Sequence, residues 1–354
     1  MLNDRLKTKL KNRKEVNALR SIINSEGIDF CSNDYLGFSK IKWSSQLSSG
    51  STGSRLISGN NPQFTSLEKN IALLHKSESA LLFNSGYTAN LGFFSCIPQK
   101  NDTVIYDQLC HASIRDGINL GLARNFSFQH NKLSHLEQKL QQSSGSIFVA
   151  IESVYSMNGD LAPLDDISKI CQKYNAHLII DEAHALGVFG ENGLGLANNI
   201  KSFARIYTYG KAMGSHGAAI VGSKLLIDYL INFSRPFIYT TALPPHSVER
   251  IKWAYENVRN NKTRELLHNH ISFFKSKCKH PHLIESDSAI QCIIIGGNLK
   301  TKQYAQYLQS KGYDIRPILY PTVALDTERI RICLHTYNTK NEIENLCQLI
   351  NQSI

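Results

Sequence analysis

The chain has 354 residues, 42% hydrophobic and 19% charged, with a formal net charge of +10. That balance excludes a disordered chain, and no apolar run approaches the roughly eighteen residues of a membrane span. The basic charge admits nucleic acid, an acidic protein or a phosphate-bearing substrate as partner; with no nucleic-acid-binding motif and no dense Lys/Arg block, nucleic acid is not expected.

In chain order, "MLNDRLKTKLKNRKEVNALR" lacks the apolar centre of a secretory signal. Leu2, Leu6 and Leu10 recur at four-residue spacing, which predicts a short amphipathic helix on the body of the protein. From about residue 64 to residue 230, short apolar runs alternate with helical patterns. The runs 80–86, 103–107, 147–152, 177–181, 205–209 and 218–223 read as strands, and 164–176 as one of the intervening helices. Such alternation predicts an α/β fold with a largely parallel sheet. Ligands of such sheets bind beyond the carboxyl ends of the strands, where Ser85, Glu152, Asp181 and Thr208 fall. "LPPH" (243–246) breaks the chain and opens a long helix. A second α/β set follows, with strands in 289–297, 313–318 and 329–334 and a closing helix near 340–352. A chain of this length is expected to form one large and one smaller lobe. The eight cysteines include no CxxC pair and read as buried free thiols in a reducing cytoplasm.

The stretch "LIIDEAHALG" ends a buried strand with Asp181, Glu182 and His184. A helicase reading fails for want of a GxxxxGK[ST] phosphate loop. A metal is not expected either, since only one histidine and two acids lie close together; Asp181 as a simple cap is the bland alternative. Thirty residues on, "IYTYGKAMGSHGAAIVGS" surrounds Lys211 with small residues. A carboxylate at a strand end and a lysine near the next strand suit pyridoxal 5'-phosphate, which needs a lysine for its Schiff base and an acid against its ring nitrogen. "FNSGYTANLGF" (83–93) runs from a strand through Ser85-Gly86 into a helix, whose free N–H groups and dipole favour a phosphate.

Eight stretches taken together carry a resemblance. They are "SNDYLGFS" (32–39), "GSTGSRLISGN" (50–60), "FNSGYTANLG" (83–92), "CHASIRDG" (110–117), "ESVYSMNGDLAPL" (152–164), "DEAHALGVFGENGLG" (181–195), "TYGKAMGSHGAAIVGS" (208–223) and "IYTTALPP" (238–245). In these the chain resembles the α-oxoamine synthases, pyridoxal-phosphate enzymes of the aspartate-aminotransferase fold (fold type I). The resemblance implies an N-terminal helix and extended segment over 1–45, a large cofactor-binding domain over 46–242 and a small C-terminal domain over 243–354.

It also implies roles. Lys211 would carry the Schiff base and act as base, Asp181 would pair with the pyridine nitrogen, His184 would bond the phenolic oxygen and His111 would stack on the ring. Ser156, Thr208, Gly86 and Tyr87 match further cofactor-contacting positions. Thr240 and Thr241 match a segment that reaches the neighbouring subunit's phosphate, so a homodimer is implied. Arg331 would hold the amino acid's carboxylate through its planar fork, and Asn33, Thr322, Arg20 and Arg316 match substrate-side positions. One departure stands out: "RPILYPTVA" keeps Arg316 but has Leu319 where the family pattern carries a second arginine. The implied activity is the decarboxylative condensation, in biotin biosynthesis, of L-alanine with a pimeloyl thioester on acyl carrier protein or coenzyme A. Glycine- or serine-using members, and a non-catalytic subunit of the same fold, are the alternatives.

Overall fold

The computed structural model describes residues 2–24 and 26–352. The chain forms two compact units. The larger comprises Leu36–Ser156 and Leu161–Glu265; the smaller comprises the chain up to Tyr35, Met157–Asp160 and the chain from Leu266 onward.

Seven strands make the sheet of the larger unit: β1 Ser79–Phe83, β2 Thr103–Asp107, β3 Arg124–Phe128, β4 Ile147–Glu152, β5 His177–Asp181, β6 Ala204–Thr208 and β7 Ala218–Gly222. Their spatial order is β1-β7-β6-β5-β4-β2-β3. All pairings from β6 to β3 are parallel, while β7 alone runs against both of its neighbours. Alternate residues of the central strands feed two different cores. Phe148, Ala150, Ile179 and Ile206 join one, and Val149, Ile151, Leu178 and Ile180 the other. Burial on both faces explains why these strands read as unbroken apolar runs.

The expected strands appear within about three residues of their expected bounds, the one expected over 313–318 being split into Tyr313–Asp314 and Arg316–Ile318. β3 was not expected. It is an edge strand whose first four residues are exposed, so "RNFSF" carries no apolar run. At the other edge, the Glu68 carboxylate accepts the N–H of Leu82 at 2.9 Å, covering one donor that an edge strand would leave open. Glu68 stands on the helix Pro62–Leu74, which Asn61 starts by accepting from the N–H groups of Gln63 and Phe64, with proline at the first position. The helix expected after "LPPH" is Pro245–Val258.

In the smaller unit, β8 Ile290–Ile294, β9 Arg316–Ile318 and β10 Arg329–Cys333 form an antiparallel sheet in the order β9-β10-β8. Gly159 lies against β8, its carbonyl accepting from Ser286 Oγ at 2.9 Å. The closing helix Lys340–Asn351 begins with a Thr339/Glu342 capping box. All eight cysteines are free, six of them buried. The N-terminal helix spans Leu2–Glu15 but buries none of its residues. Leu2, Leu6 and Leu10 are 50–59% exposed, contrary to the expectation that they rest on the body of the protein. Every other position of the helix but these three is polar or charged, so its apolar stripe is a single leucine wide.

Candidate active site

Six strands of the larger unit share one direction, so their carboxyl ends line one edge of the sheet. At the end of β1, Ser85 caps the helix Gly86–Cys96 and forms a capping box with Thr88. The box occupies the N–H groups of Ser85 and Thr88. Those of Gly86 and Tyr87, between them, are the ones this helix start offers to an anion. A Cβ at Gly86 would collide with Thr208 Oγ1, so glycine lets the hydroxyl at the end of β6 reach the helix start. Asn84 donates to the Thr241 carbonyl at 2.8 Å and to Thr240 Oγ1 at 3.3 Å, which ties both threonines to the same turn.

At the end of β5, Asp181 is buried. One of its oxygens accepts the Ala183 N–H at 2.9 Å and the other accepts from Asn90 Nδ2 at 2.7 Å. Three residues on, His184 Nε2 lies 2.7 Å from Lys211 Nζ. At the end of β2, His111 caps the helix Ala112–Leu120, its Nδ1 accepting the Ser113 N–H at 3.2 Å and meeting Ser113 Oγ at 2.8 Å. The Tyr87 ring meets His111 edge-on with centroids 6.5 Å apart, and its hydroxyl bonds Asp116. Ser156 is buried four residues beyond the end of β4.

Lys211 sits in the connection from β6 to β7, which closes through Tyr209 N–H to Gly217 O at 2.9 Å and Gly214 N–H to Lys211 O at 2.8 Å. The small residues around it do different work. Gly214 and Gly217 have φ of +54° and +114°. A side chain at the first would strike the backbone of Phe38 and Ser39; at the second, a Cβ would lie 2.9 Å from Leu243 Cδ1. Gly210 faces open space, its nearest neighbour for a Cβ being 3.8 Å away.

The remaining expected residues lie in the smaller unit. Arg331 on β10 donates to Asn33 Oδ1 at 2.8 Å and to the Tyr35 hydroxyl at 3.3 Å. Arg316 is its register partner on β9, with Nε paired to the buried Asp314 carboxylate at 2.7 Å. Arg20 donates to Thr322 Oγ1 at 3.1 Å, so two residues 302 apart in sequence meet.

Asn90, Ser113 and Tyr35 were not anticipated. Asn90 shares the buried side of its helix with Ala89, Phe93 and Phe94, and a lone amide on an apolar face was the signal that could have found it. Glu152, flagged only as a strand-end residue, pairs in register with Asp181 and accepts the His111 N–H at 2.6 Å. Burial, with the neighbouring charge of Asp181, pushes the Glu152 carboxyl up to about 8.

The donor set suits pyridoxal phosphate. It offers a lysine amine beside an imidazole, a buried carboxylate for a cationic ring nitrogen, and a helix start whose Gly86 and Tyr87 N–H groups, with the Thr208 hydroxyl beside them, suit a phosphate. Residues 25–350 match the family described as aminotransferase class I and II. An 8-amino-7-oxononanoate synthase of Emericella nidulans is 36% identical over 99% of this chain and 95% of its own length. A crystal structure of the 8-amino-7-oxononanoate synthase of Francisella tularensis is 29% identical, with a TM-score of 0.78, covering 92% of this chain and 97% of that one. A substituted serine palmitoyltransferase of S. paucimobilis, solved with a PLP–myriocin aldimine bound, shares the fold at a TM-score of 0.87 and 23% identity, covering 99% of this chain and 96% of that one. Sheet, family match and full-length relatives agree: the chain belongs to the class I and II aminotransferase family and, within it, to the α-oxoamine synthases, enzymes whose cofactor is pyridoxal 5'-phosphate.

Proposed function

We propose that the enzyme condenses L-alanine with a pimeloyl thioester, carried on acyl carrier protein or coenzyme A, and releases carbon dioxide and 8-amino-7-oxononanoate. The observation that carries this reading is the end-to-end likeness to proteins named for that product. The working form is a cytoplasmic homodimer serving biotin biosynthesis.

When bound, the cofactor supplies an electron sink for the negative charge that develops at the amino acid's α-carbon. This chain's residues do the rest. Lys211 would hold the cofactor and its Nζ would take the α-proton, with His184, 2.7 Å away, keeping that nitrogen in place. Asp181 would keep the ring nitrogen cationic. His111 would pack on the ring, and the helix start at Gly86 and Tyr87, with Thr208, would hold the phosphate; Ser156 would add a contact on the cofactor side. Thr240 and Thr241 would serve the phosphate of the second copy. Arg331, oriented by Asn33 and Tyr35, binds the substrate carboxylate with two parallel hydrogen bonds. Thr322, Arg20 and Arg316 serve the substrate side. Leu319 replaces a charge with an apolar surface there, so a change in acyl-chain preference would register at this residue.

The test is a mass-spectrometric product assay with pyridoxal phosphate, both pimeloyl donors, and alanine, glycine or serine in turn. Alanine is expected to give 8-amino-7-oxononanoate. Product from glycine or serine, with none from alanine, would assign another member of the family. Lys211→Ala is expected to lose the visible absorption of the bound cofactor and at least about 100-fold in turnover.

A further inference from the structure

We propose that Asn90 is a positioning residue that ties the carboxylate facing the cofactor nitrogen to the histidine packed on the cofactor ring. The proposal rests on the reading of Asp181 and His111 given above. Asn90 is buried in the helix Gly86–Cys96, and one nitrogen makes both of its contacts: Nδ2 donates to Asp181 Oδ2 at 2.7 Å and to Ser113 Oγ at 3.0 Å. Ser113 Oγ, accepting from the amide, has its own proton left for His111 Nδ1 at 2.8 Å. The Ser113 N–H points at the same Nδ1 from 3.2 Å. A chain of three hydrogen bonds therefore runs from Asp181 through Asn90 and Ser113 to the imidazole.

Chemistry fixes the direction of each bond. An ionised carboxylate only accepts, so the amide must turn its NH2 toward Asp181. Its Oδ1 is left buried with no hydrogen-bond partner. Leaving a buried acceptor unpaired is unfavourable, and the side chain tolerates it because both N–H groups serve charged or committed acceptors. At the far end, Nδ1 receives two donors and is held unprotonated, so the neutral His111 ring carries its proton on Nε2. Asn90 thus donates to the Asp181 carboxylate and selects a single His111 tautomer at once. Asp181 also accepts the Ala183 N–H and His111 is also held by Glu152 through its own N–H. Those bonds fix the two residues separately, whereas Asn90, through Ser113, joins their side chains.

The experiment measures equilibrium binding of pyridoxal phosphate to purified full-length protein at pH 6 to 8.5, with thermal unfolding of the cofactor-free protein to verify folding. Asn90→Ala is expected to weaken binding by about 10- to 100-fold, the range for a lost hydrogen bond to a charged group. Asn90→Asp, nearly isosteric, sets two carboxylates face to face. It is expected to bind more weakly still at pH 8 and to recover as the pH falls toward 6, because the introduced carboxyl gains a proton it can donate to Asp181. A merely structural defect would not regain affinity in acid. In the double variant Asn90→Ala/His111→Ala, the combined loss is expected to be smaller than the product of the two single losses, since a shared linkage is broken only once.

Affinity of Asn90→Asp within about threefold of the parent at pH 8, or no recovery at pH 6, overturns the proposal. Fully multiplicative losses would show that Asn90 and His111 are not linked and would likewise overturn it. If Asn90→Asp does not fold, parent-like binding by folded Asn90→Ala overturns the proposal and the expected loss supports it. Asp181→Ala separates the two levels. Parent-like affinity there would take down the reading of Asp181 and this proposal with it, whereas weak binding there beside an unaffected Asn90→Asp takes down this proposal alone.

Discussion

Glu152 shows how one side chain records the electrostatics of the site. It is buried beside Asp181 in the strand register, and its carboxyl is raised from an ordinary value of 4.5 to about 8 by burial and then by its neighbour's charge. Below pH 4.5 both folded and unfolded chains hold this proton. Between there and pH 8 the unfolded chain releases it while the folded chain keeps it, so stability is lost as the pH rises. Glu152→Gln keeps an oxygen for the His111 N–H and removes the titration. We therefore expect the melting temperature of cofactor-free Glu152→Gln to gain on the parent steadily from pH 5 to 8; parallel profiles would show that Glu152 is ionised in the fold. Two of the candidate anchors, Lys211 and Asp181, could be picked out from the sequence because each stands inside a long motif, and Arg331 through a shorter match. Asn90 and Ser113 were not, because an amide and a hydroxyl within helices look like ordinary polar positions until the fold sets them against a carboxylate and an imidazole.

At the level of elements, the connection that carries Lys211 depends on reversing the chain between β6 and β7. Gly217 supports that reversal at φ +114° with a close neighbour in Leu243, whereas Gly210 has room for a methyl group. Gly217→Ala is expected to cost about 2 kcal/mol or more in backbone strain, a fall of roughly 4–8 °C in melting temperature. Gly210→Ala should change it by less than about 2 °C. Equal effects would mean that crowding at Leu243 is relieved by a small shift. The same sheet shows what sequence patterns transmit. β4 and β5 were visible because two cores enforce apolar residues on both faces. β3 was invisible because its burial begins only at Phe128. The reversal of β7 carries no signature in "AAIVGS", which is as apolar as the mutually parallel strands β4 and β5.

For the molecule as a whole, the net charge of +10 is unevenly carried: Arg5, Lys7, Lys9, Lys11, Arg13 and Lys14 stand on the exposed helix Leu2–Glu15. Among the described residues no helix is long and apolar enough to cross a membrane. Since that helix buries nothing, a chain beginning at Lys14 should melt within about 2 °C of the full-length protein, because the hydrophobic contribution scales with buried area. A larger fall would show that the leucine stripe is covered in the assembled enzyme. The helix itself was legible from its leucine spacing, but its exposure was not, since periodicity says which side is apolar and not whether anything meets it.

The strand order also sets a timetable for the ribosome. β1 has β7 as its sheet neighbour, Ser79 pairing with Gly222 and Phe83 with Ala218. At about 5–20 residues per second, the roughly 140 residues between them take on the order of ten to thirty seconds to emerge. Throughout that interval the apolar "SALLF" segment has no strand to lie against, and an unpaired apolar strand is a template for pairing with other nascent chains. The helix Pro62–Leu74 is made just beforehand, and in the folded chain its Glu68 accepts the Leu82 N–H. That contact offers the growing chain one partner for Ser79–Phe83 before β7 is made.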